Sequence, residues 1–282
     1  MNQDIIKSYA KINLGLWITE KRPDGYHNIV TVFHKIGLHD IITVTPHHDF
    51  EVVTIGEEIE TKNILFRVKE LVEKNFGITI TGRIEILKRI PVGSGLGGAS
   101  SNAAYYLKYL NNKRNLGLST KELVDLGKEI GSDVPFFLLN ENAAIATGRG
   151  EILEPVRSTF NYPLILGFPD CRILTKWAYE RFDELSSFTK FSEAYKKAVK
   201  IADALENNDI SLLETEISND FEKIVNTRCP EILDIKDILV SLGAQVAVMS
   251  GSGSAVFGIF ERMPFLENFG EKLLPSSFLE MD

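Results

Sequence analysis

Cysteine is scarce in this chain: two in 282 residues, Cys171 and Cys229, with no CxxC pair and no cysteine–histidine spacing. That scarcity argues against a structural zinc site or a disulfide framework, and it fits a reducing cytoplasm. Long apolar runs are lacking too. The stretch from Val134 to Leu139 falls far short of the roughly 20 residues that a membrane span needs, and Met1 to Ile6 carries no signal-peptide apolar block. An unexported, non-membrane chain is therefore expected. Positive charge is in deficit, with 31 Lys and Arg against 39 Asp and Glu, a formal net charge of minus 8. Nucleic acid as the main partner normally requires a basic face, so this balance disfavours it. A small anion held by a few local lysines and helix N-termini remains open. The adjacent pair His47 and His48 has no metal-ligand spacing and reads as a solvated loop.

What the chain does have is an ordinary globular balance, 44% hydrophobic and 25% charged, enough to bury the core of one or two domains. No internal repeat or low-complexity linker divides it. Residues 8 to 18, SYAKINLGLWI, alternate so that Ile12, Leu14, Leu16 and Ile18 share one strand face while Lys11, Asn13 and Gly15 share the other. Further strands are expected at 28–38, 41–45, 50–55 and 78–88, with a turn at Pro23-Asp24-Gly25. Helical spacing and end signals place helices at 64–75, 98–110 and 120–130, the last opening on a Ser119/Glu122 capping box and ending at Gly131. Beyond about residue 152 come a strand at 164–168, helices near 175–183, 190–205, 208–218 and 230–242, and two strands, 244–249 and 255–260, around SGSGS. Strands followed by clustered helices, without regular βαβ alternation, predict an α+β fold.

The stretch PVGSGLGGASSNAA, residues 91–104, crowds glycines and serines before a helix. Glycines let backbone N–H groups approach a ligand, and the unpaired N–H groups and positive dipole end of a helix favour an anion, most often phosphate. No lysine follows the last glycine, so GxxxxGK[ST] is absent. Gly93, Gly95 and Gly98 give only a frame-shifted G-x-G-x-x-G, without the acidic residue a dinucleotide fold places some 20 residues on. A plain turn before a helix is the alternative.

Pro91 to Ser101, together with MSGSGSAVFG at 249–258, resembles the signature loops of the GHMP small-molecule kinases. AKINLGL (Ala10–Leu16), RPDGYH (Arg22–His27), GSDVPFFL (Gly131–Leu138), TGRGE and NDFE are similar to one branch of that family, and they span nearly the whole chain in the right order. That branch phosphorylates 4-diphosphocytidyl-2-C-methyl-D-erythritol at its 2-hydroxyl, with ATP as donor, in the non-mevalonate supply of isoprenoid precursors. The resemblance implies an N-terminal ATP-binding domain like ribosomal protein S5 domain 2 over 1–152 and a ferredoxin-like C-terminal domain over 153–282. It implies Mg2+ bound mainly through ATP, with no protein metal site, and no nucleic-acid or membrane partner.

Residue by residue, the resemblance makes Asp133 the carboxylate that takes the hydroxyl proton and Lys11 its partner. It places ATP's phosphates on Pro91, Val92, Gly93, Ser94, Gly95, Leu96, Gly97, Gly98, Ala99, Ser100 and Ser101, and adenine on Asn63. Asn13, Tyr26, His27, Tyr179, Ser250 and Gly251 fall to the cytidine substrate, with Tyr179 or Trp177 stacking on cytosine. Ser94 stands where relatives often carry Ala or Gly, and Ala99 where glycine is common. Local alternatives stay open: Asp133 and Asn63 as helix N-caps, Lys11 as a solvated strand lysine, Tyr26 and His27 as a hairpin tip, and 250–254 as a plain hairpin link. Rival functions are another member of the family, such as a mevalonate or homoserine kinase, and a nucleotide-binding module without catalysis.

Overall fold

The structure is a computed structural model and describes residues 3–56, 63–185, 187–265 and 272–280. In chain order its elements are β1 (Asp4–Lys21), β2 (His27–Thr45), β3 (Phe50–Ile55), α1 (Leu65–Phe76), β4 (Gly82–Leu87), α2 (Gly98–Lys113), α3 (Thr120–Ile130), α4 (Val134–Leu138), β5 (Ala143–Thr147), β6 (Ile152–Val156), β7 (Pro163–Gly167), α5 (Thr175–Leu185), α6 (Phe191–Asn207), α7 (Ile210–Glu216), α8 (Glu222–Val225), α9 (Glu231–Ser241), β8 (Val246–Met249), β9 (Val256–Ile259) and β10 (Leu273–Ser277). Among the described residues no helix is long and apolar enough to cross a membrane. The chain forms two compact units, each assembled from separated segments: residues 1–10, 38–92 and 97–140 in the first, and 11–37, 93–96 and 141–282 in the second. The α+β expectation is borne out.

In the first unit β4 is central, antiparallel to β2 over 41–45 and parallel to β3. The β3–α1–β4 connection is a single βαβ step, which the sequence reading did not foresee. Ile42, Ile84 and Ile86 are buried on the strands, and Leu65, Val68 and Val72 on α1. On α2 the buried positions include Ala103, Ala104, Leu107 and Leu110, the spacing that lays a stripe on a helix. The capping box of α3 is formed as expected, with Ser119 and Glu122 bonding each other's backbone. The short helix α4 was signalled only by the N-cap alternative for Asp133, because VPFFL is buried at every position and shows no periodicity.

In the second unit Arg22–Tyr26 closes a β1–β2 hairpin, with Arg22 N–H donating to the Tyr26 carbonyl at 2.8 Å. Residues 31–34 of β2 pair antiparallel with β5, which pairs with β6. A separate antiparallel sheet runs β10-β7-β9-β8, the order fourth-first-third-second expected of a ferredoxin-like sheet. Beneath it Phe182, Phe221, Ile232, Ile235 and Leu239 build a core with Ile165, Met249 and Val256. The two strands expected at 28–38 and 41–45 are one strand, β2. Gly37 does not break it; a Cβ there would lie 2.8 Å from Ser277 Oγ, so the glycine makes room for β10. The cysteine expectation is overturned: Cys171 and Cys229, 58 residues apart, form a disulfide with their Cα atoms 6.0 Å apart. No local spacing signals that pair, because only the fold brings the loop before α5 to the start of α9.

Candidate functional site

In the second unit, loop residues 93–96 lodge against β1 and the 249–255 turn. Lys11 N–H donates to the Leu96 carbonyl (3.0 Å), and Ala255 N–H to the Ser94 carbonyl (3.0 Å). Gly95 has φ +81°, and a Cβ there would sit 2.3 Å from the Ser250 carbonyl oxygen. Only glycine fits both the conformation and the space. Ser250 Oγ accepts from Asn13 N–H at 3.1 Å, and its own proton faces Asn13 Oδ1 and the Gly95 carbonyl, each 3.4 Å away. Gly251 packs on the same loop, its Cβ position 3.2 Å from the Gly95 carbonyl oxygen. From below, Asn219 of the NDFE segment donates both amide protons to the Met249 and Gly251 carbonyls, at 2.7 and 2.8 Å. The 250–254 segment is thus a bonded partner of the glycine loop rather than a plain link.

Lys11 is buried, contrary to its reading as a solvated strand lysine. Its Nζ donates to Asn13 Oδ1 at 2.6 Å and lies 5.0 Å from the Phe33 ring centre. Asn13 Nδ2 donates to Thr31 Oγ1, which donates to the Gly15 carbonyl, so the amide is fixed with its oxygen toward the lysine.

The base-recognition candidates gather on the hairpin and α5. His27 and Tyr179 stack with ring centres 4.6 Å apart and planes at 14°. His27 Nε2 lies 2.7 Å from Asp183 Oδ1, and Lys21 Nζ donates to Asp183 Oδ2 at 2.6 Å. Burial pushes the Asp183 carboxyl up, but the Lys21 and His27 hydrogen bonds outweigh it and hold the group below its ordinary range. Tyr26 is 57% exposed, and the Arg149 guanidinium sits 5.1 Å from its ring centre. Trp177 packs elsewhere, under Arg228 at 4.7 Å. Tyr179, not Trp177, therefore shares the His27 cluster.

In the first unit, α2 starts at Gly98, with Gly97 in the left-handed region as its N-cap and no side chain capping the end. Its first-turn N–H groups keep the anion-binding character expected of such an end. Ser101 is buried: its hydroxyl donates to the Tyr9 carbonyl at 2.5 Å and meets Ser8 Oγ at 2.7 Å, while Ser100 is half-buried. Lys88 forms a 2.5 Å ion pair with buried Asp40, whose other oxygen accepts from the Arg89 and Ile90 N–H groups. A Cβ on Gly98 would lie 3.1 Å from Lys88 Nζ. Asn63 Oδ1 accepts from Leu65 N–H at 3.0 Å, much as the capping alternative has it, although Ile64 holds the N-cap position of α1. Asp133 does hold the N-cap position of α4, yet its side chain makes no capping bond.

Sequence reasoning missed Asp183, Arg149, Ser8 and the Asp40–Lys88 pair. Each acts on a residue 48 or more positions away, apart from Lys88's short reach to Gly98, so no local spacing could reveal them.

The family model described as GHMP kinases N terminal domain matches residues 63–141, and the one described as GHMP kinases C terminal matches residues 201–270. The chain is 38% identical over 270 residues to the 4-diphosphocytidyl-2-C-methyl-D-erythritol kinase of Prosthecochloris aestuarii, covering 95% of this chain and 93% of that one. To the kinase of the same name from a Sulfurihydrogenibium species it is 41% identical over 258 residues, 91% of each chain. A crystal structure of 4-(cytidine 5'-diphospho)-2C-methyl-D-erythritol kinase superposes with a TM-score of 0.76 at 28% identity, covering 98% of this chain and 99% of that one. A homoserine kinase from Cytophaga hutchinsonii reaches a TM-score of 0.69 at 18% identity over 92% of this chain and 86% of its own, which shows the shared fold alone.

Proposed function

The chain belongs to the GHMP kinase family, and from that premise we propose that it transfers the γ-phosphoryl group of ATP to the 2-hydroxyl of 4-diphosphocytidyl-2-C-methyl-D-erythritol. The observation that carries this reading at the site is the bonding of the glycine loop to the Lys11 strand and the Ser250 turn, around a buried lysine. Phosphoryl transfer asks the protein mainly for positioning and charge neutralisation. The loop from Pro91 to Ser101 takes the phosphates on backbone N–H groups and the N-terminus of α2, and Asn63 meets adenine. Ser101 contributes by fixing the first turn of α2, since its hydroxyl is committed to Tyr9 and Ser8 and its N–H to the Gly97 carbonyl.

The acceptor oxygen attacks the γ-phosphorus, the bond to the β-γ bridging oxygen breaks, and ADP leaves. Asp133 takes the hydroxyl proton, while the Lys11 ammonium offsets charge developing on the transferring oxygens. Asn13, Ser250 and Gly251 line the substrate side, and Tyr26, His27 and Tyr179 receive the cytidine. Mg2+ would supply neutralisation of the phosphate charge and would be held mainly by ATP rather than by protein ligands. The domain division at 152/153 and the cytoplasm, where ATP is abundant, belong to the same proposal.

ATP consumption measured against 4-diphosphocytidyl-2-C-methyl-D-erythritol, mevalonate and homoserine tests it. Turnover with the first alone is expected. Turnover with mevalonate but not the cytidyl compound would overturn the substrate assignment, and tight ATP binding without turnover on any alcohol would leave a binding module.

A further inference from the structure

We propose that Asp183 is a positioning residue that sets which base the site accepts: by holding the Nε2–H of His27, it leaves Nδ1 as an acceptor for the amine at the 4-position of cytosine. This rests on the reading above, in which His27 meets the base.

Tyr179 and Asp183 lie four residues apart on α5, hence on one helix face. Together they grip one imidazole, Tyr179 on its face and Asp183 at its edge. A carboxylate only accepts, so the nitrogen facing it must carry the proton. The second carboxylate oxygen accepts from Lys21, and the His27 bond by itself also favours the ionised, accepting form of Asp183. In the neutral ring the proton is thereby committed to Nε2 and the lone pair to Nδ1, which has no hydrogen-bond partner among the described residues. Cytosine offers N–H at its 4-position, whereas uracil offers a carbonyl oxygen there, so acceptor would face acceptor. The ring is otherwise buried, and such a mismatch is not relieved by water.

The test compares kcat/KM for the cytidine compound and its uridine counterpart in the intact protein. Wild type should prefer cytidine by about a hundredfold, since sites built around a specific hydrogen bond reject mismatched groups strongly. In Asp183→Asn the amide can donate to Nε2 and shift the ring proton to Nδ1, so the preference should fall at least about tenfold, mainly through KM. Because both substrates are read in one preparation, a lost folded fraction cancels from the ratio. Lys21→Gln removes the other bond to the same carboxylate while sparing the one to His27, and should hold the ratio within about twofold. An unchanged ratio in Asp183→Asn, an equal fall in Lys21→Gln, or a wild type indifferent to the base overturns this inference alone. A wild type inactive on the cytidine compound overturns the functional reading, and this inference with it.

Discussion

Stability should fall as pH drops below 6.5, and one buried histidine should account for a measurable share of the loss. His34 is buried, with its Nδ1 2.7 Å from the Lys35 carbonyl oxygen and its Nε2 2.7 Å from Ser158 Oγ. The carbonyl can only accept, so Nδ1 carries the proton and Nε2 accepts from Ser158, whose oxygen in turn receives the Phe160 N–H. A second ring proton would displace the serine proton and place a charge in a fully buried ring packed against Phe278. Burial, the largest effect, drives the pKa from 6.5 down to about 4 against the pull of the Lys35 carbonyl, with a smaller downward push from the nearby Lys35 charge. The unfolded chain therefore binds the proton more readily, and the contribution is complete above pH 6.5 and drains away as pH falls toward 4. Integrating between those two values at about 1.36 kcal/mol for each pH unit gives about 2 kcal/mol lost by pH 5 and about 3 by pH 4. Urea unfolding at pH 7.0, 6.0 and 5.0 should show it as a narrowing gap between wild type and His34→Gln, because glutamine cannot titrate. Carboxylates titrate in both proteins and cancel. Parallel decline of the two proteins from pH 7 to 5 would refute the reasoning.

Two further perturbations address the site. Asp133→Ala should bind ATP within about threefold of wild type, by calorimetry, yet lose about a hundredfold to ten-thousandfold in kcat, the range of a lost general base; a variant with full kcat would remove Asp133 from the chemistry. Gly95→Ala adds a Cβ 2.3 Å from the Ser250 carbonyl oxygen at φ +81°, so thermal or urea unfolding should show at least about 2 kcal/mol of destabilisation, with ATP KM raised. Unchanged stability would mean that the loop moves off the 249–255 turn without cost.

Local signals read well where a residue's role is decided by its neighbours in sequence. The Ser119/Glu122 box and the strand over 8–18 appear as expected, although both faces of that strand are buried. They failed where a distant partner decides. The break expected at 39–40 does not occur, and within the continuous strand Gly37 makes room for the distant Ser277. The strand β10 lies in a tail that matched nothing familiar, and the tail's residues 266–271 and 281–282 lie outside the described residues. The helix expected over 208–218 is shorter, α7, because Asp209 caps it through the Ser211 and Leu212 N–H groups. At the site the motif residues themselves were legible, whereas the groups that orient them were not: Asn219 under the Ser250 turn is 30 residues from its acceptor, and Asp183 is 156 from His27.

The same distinction explains the lysine missing from the glycine loop. Two lysines reach the 93–98 segment through the fold rather than through a motif: Lys11, whose backbone bonds Leu96, and Lys88, beside Gly98. Lys88 is spent on a buried carboxylate, Asp40, that also ties down the Arg89 and Ile90 backbone, so its charge is neutralised where it stands, and losing either partner would strand the other. Its effect on the loop is to hold the stem at Ile90. Lys11 Nζ donates to the amide oxygen of Asn13, an orientation fixed in turn by Thr31. That bonded chain holds a buried ammonium in one place on β1, and a preplaced charge is what the proposed phosphoryl transfer asks of this lysine.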